Sequence, residues 1–183
     1  VAYTIQDPLV GITPIANNDA GVQVNGSGAY LPPSGVMKPG MIVRAADPVY
    51  GEGEFIYLQG VASTVVGSVV TWSGVNGTTA QTFQTALAPS TANLAQPLAV
   101  AMSANLANSW GWYQIAGNAV VATNGTLAAG PGPVYLAGSG QVTSTAAAGK
   151  QVVNAVNVSA TGTPASGQAI VNIDRPFAQG AIT

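Results

Sequence analysis

The sequence predicts a mainly β protein: a small β-barrel or sandwich-like domain with an extended Pro/Gly-rich arm at its N-terminus. Three observations lead there. The chain holds 23 Val, 16 Thr and 9 Ile against only 9 Leu, and β-branched side chains suit a pleated sheet better than a helix. Turn signals recur at the spacing of sandwiches and barrels, at Tyr50-Gly51, Asn76-Gly77, Asn124-Gly125, Gly130-Pro131-Gly132-Pro133, Gly138-Ser139-Gly140 and Thr163-Pro164. Residues 1–40 gather Pro8, Pro14, Pro32, Pro33 and Pro39 among six glycines, a composition that breaks helices and lacks the donors a central strand needs.

Taken in order, residues 1–40 read as the arm and 41–183 as the β-rich domain. Tyr3, Ile5, Leu9, Ile12 and Ile15 make the arm apolar enough to bury against something else. An extended stretch of 15 residues spans up to about 50 Å, so the arm is expected to contact a neighbouring subunit or another protein. Val1 reads as a mature start after removal of Met. Strands are expected at Met41 to Ala46, Glu54 to Ala62, Ser68 to Ser73, Pro97 to Met102, Trp112 to Ala122, Pro133 to Ala137, Gln151 to Ser159 and Gln168 to Asp174. In the last of these, Ala169, Val171 and Ile173 share one face. Val152, Val156 and Val158 share one face of the strand before it, with Asn154 interrupting, and the two strands form a hairpin across Thr161 to Gly167. Thr78 to Gln96 is read as a short helix or an ordered loop: Phe83, Ala86 and Leu87 have helical spacing, but Pro89 interrupts.

Composition removes most chemistry. With no Cys and no His, thiol catalysis, imidazole acid-base work, disulfides and the usual zinc sites are excluded. Lys38, Arg44, Lys150 and Arg175 are too few and too scattered to track a nucleic-acid backbone. No apolar run approaches the roughly 18 residues of a membrane span, and no signal-peptide pattern opens the chain. Leu, Ile, Val and Phe are nevertheless plentiful enough to build a core. Four basic and six acidic residues on a surface of roughly 8,000 Å² leave it poorly charged. Self-association into an oligomer follows from that.

The one concentration of titratable groups is Asp47, Glu52 and Glu54, in the stretch DPVYGEGEF. Its spacing matches no calcium loop. Asp47-Pro48 is expected to start a turn, and Glu52 and Glu54 to pair with Arg44. Ala148-Gly149-Lys150 ends like a phosphate loop, but Ser144 and Gln151 stand where Gly and Ser or Thr are needed. No catalytic residue, cofactor or metal ligand is therefore expected, and the protein is read as no enzyme. Trp110, Trp112 and Tyr113 form an aromatic cluster, either a core or interface anchor or a platform for a sugar. Trp112 and Tyr113 must face opposite sides of a strand, so one is expected to serve the core and the other a partner.

The segments RAADPVYGEGEFIYLQGVASTVVGSVVTW (44–72) and PLAVAMSANLANSWGWYQIAGNAVV (97–121), with the ending IDRPF (173–177), resemble the head decoration or cement proteins of tailed bacteriophages. The resemblance implies a β-rich structural protein of the virion exterior, assembled in the host cytoplasm. It implies binding to the major capsid protein across neighbouring capsomers, commonly as a homotrimer, with no nucleic acid or membrane partner. Tyr3, Ile5, Leu9, Ile12, Trp110, Trp112, Tyr113, Arg175 and Phe177 are the candidate capsid or subunit contacts. The competing expectation is a glycan-binding adhesin or head-fibre domain.

Overall fold

A computed structural model describes residues 2–5, 15–16, 39–73, 83–107 and 109–181. Among these there is no helix and there are twelve strands. They are β1 (Ala2–Ile5), β2 (Ile15–Ala16), β3 (Ile42–Asp47), β4 (Gly51–Gln59), β5 (Val69–Ser73) and β6 (Gln84–Leu87). There follow β7 (Leu98–Ala101), β8 (Trp110–Ala122), β9 (Pro133–Gly138), β10 (Gln141–Thr143), β11 (Gln151–Asn157) and β12 (Gln168–Ala178). The mainly β fold expected from the sequence is the fold observed.

The strands close into two small rings that share β8. In the first, β4 pairs with β8, β8 with β7, β7 with β5 and β5 with β6, and the parallel contact Gln59↔Gln84 returns to β4. Ile56, Leu58, Val70, Ala99, Ala101, Tyr113 and Ile115 fill it. The small Ala99 and Ala101 leave room for the ring of Tyr113, the large-against-small filling that a narrow barrel requires. In the second ring β8 pairs with β12, β12 with β11, β11 with β9 and β9 with β10. The bridge Thr123↔Val142 then leads back to the end of β8. Its core includes Val121, Leu127, Leu136, Val152, Val171 and Ile173.

Strands between the two cores are apolar on both faces. Leu98 and Val100 point into the second core while Ala99 and Ala101 point into the first, which explains the unbroken run LAVA. On the outer side of the first ring, Val43, Ala45, Phe55, Tyr57, Trp110 and Trp112 form a third buried cluster.

Two expectations are corrected. The segment read as a helix or loop contributes strand β6, because Leu87, Ala86, Thr85 and Gln84 pair with Val70 to Ser73; residues 78–82 lie outside the described ones. In β11, Val152 is buried but Val156 is exposed, as is Val158 just beyond the strand. Asn154 adopts a left-handed conformation (φ 59°) in a bulge that shifts the alternation, so Ala155 and Asn157 turn inward instead. The hairpin of β11 with β12 across 161–167 forms as expected.

β1 pairs with β2 and also with β3, through Thr4↔Ala46 and Ile5↔Ala45. Tyr3 and Ile5 thus lie on a strand of the domain's own sheet. Leu9 and Ile12 fall outside the described residues.

Candidate functional site

Residues directly opposite one another in neighbouring strands project to the same face of a sheet. Arg44 on β3 faces Glu54 on β4, Glu54 faces Ala116 on β8, and Ala116 faces Asp174 on β12. This four-strand row has two charged side chains at one end, one at the other and a methyl group between. The methyl leaves a hollow of about 350 Å³, lined by Arg44, Glu52, Glu54, Asp174 and Arg175 over a floor of Gly53, Ala116 and Gly117. Three of the chain's six acidic residues and two of its four basic ones meet there.

The local backbone makes this possible. Adjacent strand residues normally point to opposite faces, yet Asp174 and Arg175 are both exposed, with Ile173 and Pro176 buried on either side. Arg175 has a φ of 47°. It sits opposite the Asn154 bulge, where the pairs Val153↔Phe177 and Ala155↔Ile173 leave three residues of β12 against one of β11. Both strands change parity at one level, so the hairpin stays in register while two consecutive charges face the hollow. A non-glycine residue held at positive φ costs about 1–3 kcal/mol, and such strain concentrates at functional positions.

Arg175 Nη2 reaches across the Ala116 methyl to donate to Glu54 Oε2 at 2.7 Å. Arg44 Nε lies 3.6 Å from Glu54 Oε1, so the expected pairing of Arg44 with this acidic stretch holds for Glu54. Asp174 has no ion-pair partner among the described residues. The floor depends on close backbone approach: a Cβ on Gly117, whose φ is 96°, would lie 2.3 Å from the Glu52 carbonyl oxygen. Beneath it, Gln114 Nε2 donates to the carbonyls of Ala116 (3.0 Å) and Asn118 (3.2 Å), bracing the strand around that glycine.

Next to the hollow lies an apolar groove of about 210 Å³, walled by Ile42, Trp72, Pro97 and Phe177 with Leu98 and Ile115 at its base. Arg175 lines both depressions. Ile42 is 42% exposed and Phe177 40%.

The acidic cluster of the sequence is divided. Asp47 is buried, and its Oδ1 accepts hydrogen bonds from the backbone N–H groups of Val49 (2.7 Å) and Tyr50 (3.0 Å), which builds the expected turn. Glu52 and Glu54 go to the hollow. No group of three or more metal-ligating side chains occurs among the described residues. The loop around Gly149 and Lys150 is a turn closed by Lys150 N–H to Ala147 O at 3.1 Å.

The aromatic residues are elsewhere than expected. Trp110, Trp112 and Tyr113 are all buried. The two tryptophans pack on Tyr57, with ring centroids 5.8 and 5.2 Å away, while Tyr113 fills the first ring on the opposite face of β8. The expectation that one side of this strand serves a partner is therefore corrected, because cores lie on both sides. Burial pushes the Tyr113 phenol up to about 12 against the opposing pull of Thr85 and Asn105, and burial raises Tyr57 further. Of the named candidates with described side chains, Arg175 and Phe177 alone are exposed.

Sequence reasoning noticed Arg44, Glu52 and Glu54 but missed Asp174 and the role of Ala116. No local pattern links positions 54 and 175, 121 residues apart. No protein-family model matches the chain, and no curated protein matches it.

Proposed function

We propose that this protein is a structural component of a virion, binding the outer surface of a phage capsid through the major capsid protein and cementing neighbouring capsomers. The likeness of residues 44–72, 97–121 and 173–177 to head decoration proteins suggests it. One structural observation carries it furthest: a single face spanning β3, β4, β8 and β12 gathers half of the charged residues beside exposed Ile42 and Phe177. Protein-binding surfaces combine apolar contact area with polar groups at its edge, and here an apolar groove adjoins a charged hollow. That face stands on two closed rings, so contacts made there are pre-organised, which lowers the ordering cost of binding. The homotrimer remains part of the proposal, since the surface elsewhere is poorly charged.

Purified full heads test the reading. The protein is expected to co-sediment with them in stoichiometric amounts by quantitative mass spectrometry, and to sediment alone as a trimer. Trace amounts on heads together with retention on glycan resin would overturn it in favour of an adhesin. That alternative has lost its main support, because the Trp110, Trp112 and Tyr113 rings are buried.

A further inference from the structure

We infer that the hollow and the groove form one bipartite docking site for an extended segment of a partner protein, carrying an apolar or aromatic residue and a Lys or Arg two positions apart. The inference deepens the capsid-binding reading and rests on it for the partner's identity. It rests on spacing, volume and charge for the partner's chemistry.

The spacing comes from the strands beneath. Ile42 and Phe177 wall the groove, while Arg44 and Arg175 line the hollow. In β3 and in β12 the groove residue and the hollow residue are two positions apart, which in a strand is roughly 6.8 Å along one face. The two depressions thus repeat at the interval between same-face residues of an extended chain. A segment lying along β3 and β12 places one residue in the groove and the residue two positions away in the hollow.

Volume and charge fix what each takes. A cavity of about 150 Å³ accommodates benzene, so a groove of about 210 Å³ receives one aromatic or large aliphatic side chain. The hollow holds three carboxylates and two guanidinium groups. Both arginines are directed to Glu54, and Asp174 is left without a cation. A partner's ammonium or guanidinium group supplies it, whereas a partner carboxylate meets net negative charge.

Selection of a random displayed peptide library on the immobilised full chain tests this, with D174K and F177S as comparison proteins. Both positions are exposed, and thermal melts matching the wild type establish that the variants are folded. The wild type is expected to enrich an apolar and a basic residue two positions apart, in either order. D174K is expected to turn the second preference to Asp or Glu, and F177S to weaken binding of a selected peptide by about tenfold or more, the loss of one anchoring side chain. No enrichment, another spacing, or a pattern indifferent to both substitutions overturns the site. Co-sedimentation of the same three proteins with heads separates this from the broader reading. Failure of the wild type to bind heads while the peptide pattern holds rejects the capsid reading alone. Undiminished head binding by both variants rejects the docking site alone.

Discussion

Replacing Gly117 by Ala probes the floor of the charged hollow, where the β8 backbone lies close to that of β4. The added methyl brings two costs. At a φ of 96° an alanine is strained by about 1–3 kcal/mol. Its Cβ would also stand 2.3 Å from the Glu52 carbonyl oxygen and 3.1 Å from the Gly53 Cα. Those atoms are backbone, so relief requires the strands to part, a packing penalty of about 1–3 kcal/mol. Gly162→Ala isolates the second cost, because Gly162 has a similar φ of 105° but nothing within 4 Å of its added Cβ. The difference between the two variants is then about 2 kcal/mol, or roughly 4–8 °C in melting temperature for a chain of this size. Calorimetric melts of both variants against the wild type measure it. Equal melting temperatures would refute the close approach, and with it the account of why the hollow has a glycine floor.

Other consequences follow from the cores and the edges. Tyr113 has its folded pKa raised to about 12 from an ordinary value of 10. The folded state therefore holds the proton more tightly, and the stabilisation is fully present below pH 10 and lost as pH rises through 12. About 2–3 kcal/mol is expected to disappear over that window, and melts of wild type and Tyr113→Phe from pH 9 to 12 check it, the variant losing less. Trp112→Ala is expected to cost about 3–5 kcal/mol in denaturant unfolding, whereas a near-neutral result would return Trp112 to the surface as a sugar platform. Deleting residues 1–5 removes β1 and frees the β3 edge at Ala45 and Ala46. Unpaired edges recruit other chains, so concentration-dependent association in sedimentation velocity is expected, and an unchanged profile counts against β1 as an edge cover.

Much of the fold was legible because the signals were local. Alternation in Ala169, Val171 and Ile173, and turn residues on either side of each run, located all eight strands expected in the domain to within a few residues. The missed strands are short: β1, β2, β6 and β10 have two to four residues each, too few to show a period. β12 extends past Asp174 to Ala178 because its pairing with β11 resumes beyond the bulge, an effect of the partner strand. The same bulge defeated the reading of Val156 and Val158, since a change of parity at Asn154 is invisible to a rule that assumes constant alternation. The site was less legible still. Its residues come from β3, β4, β8 and β12, and their juxtaposition exists only once the rings close. The aromatic run stood out in the sequence because large rings are rare there, but rarity did not distinguish a filled core from a surface.

Arg175 separates stability from recognition. Its positive φ is a standing cost, and glycine at that position relieves strain of about 1–2 kcal/mol. Against that gain stand the greater freedom of glycine in the unfolded chain, about 0.5–1 kcal/mol, and the loss of an ion pair whose arginine is 62% exposed. Pairs this open to solvent contribute at most about 1 kcal/mol. These opposing quantities nearly cancel, so Arg175→Gly is expected to melt within about 1 kcal/mol of the wild type, roughly 4 °C or less. Binding is a different matter. Arg175 forms the wall shared by hollow and groove, and without it Glu54 keeps only the longer contact with Arg44. The hollow then holds three carboxylates against one guanidinium, so the variant is expected to favour a basic over a neutral residue at the hollow position of a selected peptide more strongly than the wild type does, read from competition binding. If it instead melts far below the wild type, Arg175 is held in its strained conformation for the fold, and the strain carries no information about a partner.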